Sequence, residues 1–157
     1  MSSATENTSA LYAGLDNVVS RLNWEIDIQN EMGRYAFNFR GTKYERCLAA
    51  FSERQDITLE IVGTALFRGK EQIRNYYLNC CKAMDGDRMD VMHDRFLGTP
   101  LVEIAADGKS AEALWIVEGE ETYPVGETPK GAWIWGKYQA DFIRENGAWK
   151  ILNLRYF

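Results

Sequence analysis

The sequence predicts a single α+β domain in which three N-terminal helices pack on a curved antiparallel sheet. Three observations carry this. The first half of the chain places apolar residues at helical spacing, and the second half alternates them at period two. Strands that come as one late run, after the helices, argue against a doubly wound nucleotide fold. A length of 157 residues with 46% hydrophobic and 26% charged content is that of one domain with a sizeable core.

Residues 1–15 are small and polar and read as a flexible tail, with the folded domain spanning 16–157. Trp24, Ile28, Met32, Tyr35 and Phe39 then recur every three or four residues, the stripe of a helix buried on one face and ended by Gly41. Thr42-x-x-Glu45 reads as a capping box opening a second helix with Tyr44, Leu48 and Phe51 on one side. Residues 56–61 alternate with β-branched side chains and lead through Gly63 to Phe67, a strand or hairpin. Ile73, Tyr76, Tyr77, Cys80 and Met84 mark a third helix, stopped by Asp85-Gly86-Asp87. Residues 88–97 and 101–105 alternate; Asp107-Gly108 predicts a type I′ turn with the return strand at 111–121. A second pair, 132–144 and 149–157, turns about Asn146-Gly147. The stretch 119–131, with its prolines and charges, reads as a long loop on the rim of a pocket.

Composition narrows the function. With 18 basic against 23 acidic residues, the formal charge of −5 repels phosphate backbones, so nucleic acid is not an expected partner. The three cysteines, two of them adjacent, fit neither a disulfide framework nor paired zinc ligands. The N-terminus lacks a signal-peptide pattern and no apolar run is long enough to span a membrane, so the expectation is a cytoplasmic protein without a membrane partner. Gly63 to Glu71 is a failed phosphate loop: five residues separate its glycines, and Glu71 stands where a hydroxyl would bind magnesium. With one histidine and no nucleotide or metalloprotease motif, no cofactor and no metal are expected. Aromatic residues reach 13%, a candidate lining for an apolar pocket.

The runs Asp27 to Tyr35, Tyr44 to Ser52 and Phe67-Arg-Gly-Lys-Glu-Gln-Ile73, with the ending Gly136-Lys-Tyr138, Asp141-Phe-Ile-Arg144 and Asn146-Gly-Ala-Trp-Lys-Ile151, resemble the SnoaL-like branch of the nuclear transport factor 2-like superfamily over roughly residues 20–155. The resemblance implies a cone-shaped α+β barrel with a deep apolar pocket, often in a homodimer, in a group that includes dehydratases, ketosteroid isomerases, polyketide cyclases and noncatalytic modules. Its dehydratase-like members carry a tyrosine on the first helix, a carboxylate soon after it and a histidine on a later strand. Tyr35 matches the tyrosine, whereas the carboxylate position falls at Arg40. The isomerase-like base would fall near Ile61, which is no carboxylate. His93 stands about two residues before the family histidine position, which is occupied by Arg95; alternation puts the two on one face.

Tyr35 and His93 are therefore the candidate catalytic pair. His93 has the side chain suited to moving a proton near neutral pH, and Tyr35 can stabilise an oxyanion. Phe39, Trp115 and Tyr138 are candidate walls of a substrate pocket; Arg40, Arg95 and Arg155 are candidate anion-holding groups, and Asp141 is a reserve base. Trp133 and Trp135 alternate onto the face opposite Tyr138 and are expected outside the cone, at a dimer interface. The expected function is a cofactor-independent lyase or isomerase acting on a bulky, largely apolar ring-containing ligand. A noncatalytic binding module of the same fold, and a hydrolase in which Asp141 and Arg155 activate water, are the alternatives.

Overall fold

A 39-residue helix, α1 (Ser2–Arg40), opens the computed structural model, which describes residues 2–82, 92–125 and 128–157. Its C-terminal half buries the expected stripe of Ile28, Met32, Tyr35 and Phe39. The helix begins well before Asp16 because no proline interrupts residues 2–23 and Leu11, Leu15, Val18 and Leu22 extend helical periodicity into the segment read as a tail. At the corner the Gly41 amide bonds to Phe37 O at 3.0 Å, and Thr42 takes a φ of 53°. That left-handed turn removes Thr42 from a capping role: α2 (Tyr44–Ala49) has Lys43 at its N-cap without a side-chain cap, and Glu45 instead accepts from Arg74 at 3.0 Å.

β1 (Thr58–Ile61) and β2 (Ala65–Arg68) form a hairpin whose turn needs Gly63 at φ 77°. The third helix, α3 (Gly69–Asn75), continues as a π-helical segment, Tyr76–Cys81. The wider i→i+5 turn keeps Ile73, Tyr77 and Cys81, spaced by four, on the buried face, and so exposes Cys80 where a regular helix was expected to cover it. The stop expected at Asp85-Gly86-Asp87 lies outside the described residues.

The remaining strands are β3 (Phe96–Leu97), β4 (Leu101–Ile104), β5 (Ser110–Val125), β6 (Thr128–Glu145) and β7 (Ala148–Tyr156). Their order is β2-β1-β7-β6-β5-β3, with β4 also on β5. The sheet is curved but not closed, and β1 runs parallel to β7, so it is not purely antiparallel as expected. Pairing of β5 with β6 continues to Val125 opposite Thr128, so 119–125 and 128–131 are strand where a loop was expected, and residues 126 and 127 lie outside the described residues. The Asp107-Gly108 turn has only Gly108 at positive φ (67°) and is not type I′, whereas Asn146 and Gly147, at 51° and 83°, satisfy that turn's requirement.

The inner face of the sheet carries Ala111, Ala113, Trp115 and Val117 on β5, Tyr138, Ala140 and Phe142 on β6, and Ile151 and Leu154 on β7. These close on Ile28, Met32, Phe51, Ile73 and Tyr77 from the helical layer, and this layer holds the core. Trp133 and Trp135 stand on the opposite face of β6, 71% and 70% exposed. Among the described residues no helix is long and apolar enough to cross a membrane.

Candidate functional site: a buried His-Glu-Arg cluster

The inward parity of β5 continues past Val117 to Gly119 and Glu121. At this end the segment 92–95 crosses the strand. Asp94 N donates to Glu120 O at 2.9 Å and Thr122 N to Met92 O at 2.9 Å, so His93 bridges to Glu121. The approach is possible because residue 119 is glycine: a Cβ there would stand 1.9 Å from Asp94 O. His93 and Arg95, one residue either side of Asp94, are thereby both turned toward Glu121.

Glu121 holds them with separate oxygens. Its Oε1 lies 2.9 Å from His93 Nδ1, and its Oε2 accepts from Arg95 Nη2. Burial alone would raise the Glu121 pKa, but the hydrogen bond to His93 and the charge of Arg95 outweigh it and keep the carboxyl below its usual range. An ionised Glu121 accepts from His93 Nδ1, so Nδ1 carries a proton and, when the imidazole is neutral, Nε2 is the basic nitrogen. Arg95 is only 7% exposed in its side chain, with its guanidinium carbon 5.3 Å from the Phe39 ring centre and 5.9 Å from that of Tyr156. Burial works against its charge, yet Tyr138 and Glu121 beside it more than offset this, so it stays a cation.

Aromatic residues enclose the cluster. The Phe39 ring stands edge-on to His93 at 5.7 Å and stacks on Tyr35 at 6.4 Å. Tyr35 meets Tyr138 at 6.1 Å, and its hydroxyl shares a 2.8 Å hydrogen bond with that of Tyr77. Burial pushes the Tyr35 phenol well above its ordinary pKa and raises Tyr138 to about 12 against the lowering effect of Arg95. Both remain protonated at neutral pH and can donate. A cleft of about 320 Å³ between α1 and β3, lined by Gly33, Phe37, Arg40, Asp94, Arg95 and Leu97, opens on one side. A smaller one of about 180 Å³ is bordered by Met92, Glu121, Thr122 and Trp133 among others.

The structure thus gathers five of the sequence-derived candidates, Tyr35, Phe39, His93, Arg95 and Tyr138, around one point. Trp115 pairs with Tyr138 across β5 and β6, but it is 2% exposed and packs edge-on to Phe142 at 6.4 Å, deeper in the core. Arg40 is spent on an ion pair with Asp94 at 2.5 Å, at the mouth of the cleft rather than inside the cone. Two candidates stand elsewhere. Asp141 accepts from Asn153 at 2.8 Å on the face turned away from Ala140 and Phe142, beside an outer cleft of about 400 Å³. Arg155 pairs with Glu60 at 2.7 Å and lies over Phe157, on the same outer side as Gln139. The water-activating pair of Asp141 and Arg155 needs both groups inward, and strand alternation places both outward.

Sequence reasoning missed Glu121, Tyr77 and Tyr156. Glu121 carries a usable signal: it closes the expected strand 111–121 at the parity of Ala111, Ala113, Trp115 and Val117, which turns a carboxylate inward.

Solved structures with the same fold include a putative scytalone dehydratase from Novosphingobium aromaticivorans, 14% identical, with a TM-score of 0.73 over 88% of this chain and 86% of that one. A hexachlorocyclohexane dehydrochlorinase, LinA type 2, is 16% identical, with a TM-score of 0.72 over 88% and 87%. A variant of a Mycobacterium tuberculosis protein of unknown function, Rv3472, is 21% identical, with a TM-score of 0.68 over 89% and 74%. No curated protein matches the chain. Residues 20–155 match the SnoaL-like domain, and they include every element from the second half of α1 to β7; the chain belongs to the SnoaL-like domain family.

Proposed function

We propose that the protein is a cofactor-independent lyase or isomerase that acts by acid–base chemistry on a bulky, largely apolar, ring-containing small molecule. The observation that carries this reading is the buried contact of His93 with Glu121, backed by Arg95. With Glu121 at Nδ1, His93 Nε2 takes a proton from a carbon of the substrate, and Glu121 stabilises the imidazolium that forms. The electron pair released from the C–H bond moves toward an oxygen of the substrate, where Tyr35, Tyr138 or the Arg95 charge meets the developing negative charge. In an elimination the pair then forms a C=C bond as the C–O bond breaks, and the proton on His93 leaves with the hydroxyl as water. In an isomerisation the same proton returns at another carbon. The rings of Phe39, Tyr35 and Tyr138 orient the substrate. That solved structures of this fold include a putative dehydratase and a dehydrochlorinase is consistent with the lyase reading.

A noncatalytic binding module is the second reading, favoured by arginines at the two positions, 40 and 95, where dehydratase-like members are expected to carry a carboxylate and a histidine. One experiment separates the two. A thermal-shift screen of sterol-like, polyketide-like and phenolic compounds finds ligands through stabilisation of the folded state. Ligands are then incubated with the protein in D2O and followed by NMR. Enzyme-dependent deuterium incorporation or loss of water that falls about 100-fold or more in His93→Ala supports acid–base catalysis. Binding without exchange, or a rate unchanged in His93→Ala, rejects it.

A further inference from the structure

The N-terminal half of α1 carries a second apolar stripe that the fold leaves uncovered. Leu11, Leu15, Val18 and Leu22 are 64%, 51%, 55% and 55% exposed, and Tyr12, Val19 and Ile26 beside them are similarly open. At 3.6 residues per turn all seven fall within an arc of about 120°. The stripe that the core buries, from Ile28 to Phe39, is centred roughly 130° around the same helix. The domain's own core therefore cannot reach the N-terminal stripe.

We propose that this stripe is an interface for a second copy of this chain, the two α1 helices pairing antiparallel across a twofold axis between positions 16 and 17. Spacings of four, three and four along Leu11, Leu15, Val18 and Leu22 are those of a helix–helix seam. The series also reads the same in both directions, the condition for a self-complementary twofold contact. It sets Leu11 against the partner's Leu22 and Leu15 against the partner's Val18. Gly14, with nothing within 4 Å of where its Cβ would stand, meets the partner's Val19 and lets the helices approach. At Leu22 a groove of about 310 Å³ between α1 and β4, with Val18, Leu22, Val102 and Ile104 as its apolar lining and Arg21 and Glu25 as its charged lining, seats the partner's Leu11. Charge disfavours a lipid surface as the occupant: residues 2–26 hold Arg21 as their one cation against Glu6, Asp16 and Glu25, without the basic flank of membrane-surface helices.

Light scattering coupled to size exclusion tests the proposal on the full chain. Leu15→Glu and Val18→Glu should each halve the wild-type mass with the circular dichroism spectrum and melting of the domain retained, and Asn17→Glu, on the far side of the helix, should leave the mass unchanged. A wild type that is monomeric at tens of micromolar, a mass unaffected by the Leu15 and Val18 variants, or an equal loss in Asn17→Glu overturns it. So does a monomeric wild type that co-sediments with phosphatidylcholine vesicles, which would assign the stripe to lipid.

Discussion

Replacing Glu121 by Ala leaves the Arg95 guanidinium buried against Phe39 and Tyr156 without its carboxylate, and removes the partner of His93 Nδ1. Breaking a buried ion pair from one side costs about 3–5 kcal/mol, because the remaining charge has no compensation for its lost hydration. For a chain of 157 residues, at about 2–4 °C per kcal/mol, the melting temperature falls by roughly 6–20 °C. The companion variant is the double replacement Glu121→Leu with Arg95→Met, which removes both charges and keeps apolar volume. Its loss should be well below the sum of the two single replacements, since residues in contact couple by about 0.5–3 kcal/mol. Urea unfolding of the wild type, both singles and the double closes the cycle. A loss in Glu121→Ala within about 0.5 kcal/mol, the range of an ordinary surface change, would refute the claim that this carboxylate anchors the site. Additivity of the two singles would refute the coupling.

Two further expectations bear on the same cluster. Gly119→Ala puts a methyl group 1.9 Å from Asp94 O, so the 92–95 segment must lift and its two backbone bonds to β5 are lost. Those bonds at about 1 kcal/mol each plus overpacking of about 1–3 give a loss near 3–5 kcal/mol, measured by thermal melting, and a wild-type Tm would sink the close-crossing argument. The Glu121 carboxyl is held below its usual pKa in the folded state, so its contribution to stability is complete above the unfolded value and is lost as pH falls through the folded one. Acid titration of stability should therefore show a steeper loss below about pH 4.3 in the wild type than in Glu121→Gln; parallel curves would contradict the assignment.

Most of the helical layer was legible because burial on one side imposes a period. Ile28, Met32, Tyr35 and Phe39 are spaced so that only one face can be apolar, and all four are buried. The closing hairpin was legible from Asn146-Gly147, whose positive φ values few other pairs adopt. In the stretch 119–131 prolines and charges are turn signals locally, whereas the pairing of β5 with β6 keeps 119–125 and 128–131 extended. The π-helical segment was equally hidden: its phase shift follows from what Tyr77 and Cys81 pack against, and a stripe spaced by four fits a regular helix as well.

For the candidate site, alternation alone put His93 and Arg95 on one face, and helical spacing aligned Tyr35 with Phe39. Those are local periodicities that a backbone obeys whatever lies opposite. Which groups face them is decided over long sequence separations: Glu121 is 28 residues from His93, and Tyr77 is 42 from Tyr35. Those contacts depend on a chain crossing that Gly119 permits and on a sheet whose curvature brings β5 and β6 under α1. The sequence by itself thus determined the class of fold and the inventory of rings and titratable groups. Only the tertiary structure decided that a carboxylate joins histidine to arginine, because burial and charge pairing belong to surfaces that meet in space and have no signature in the spacing of residues along the chain.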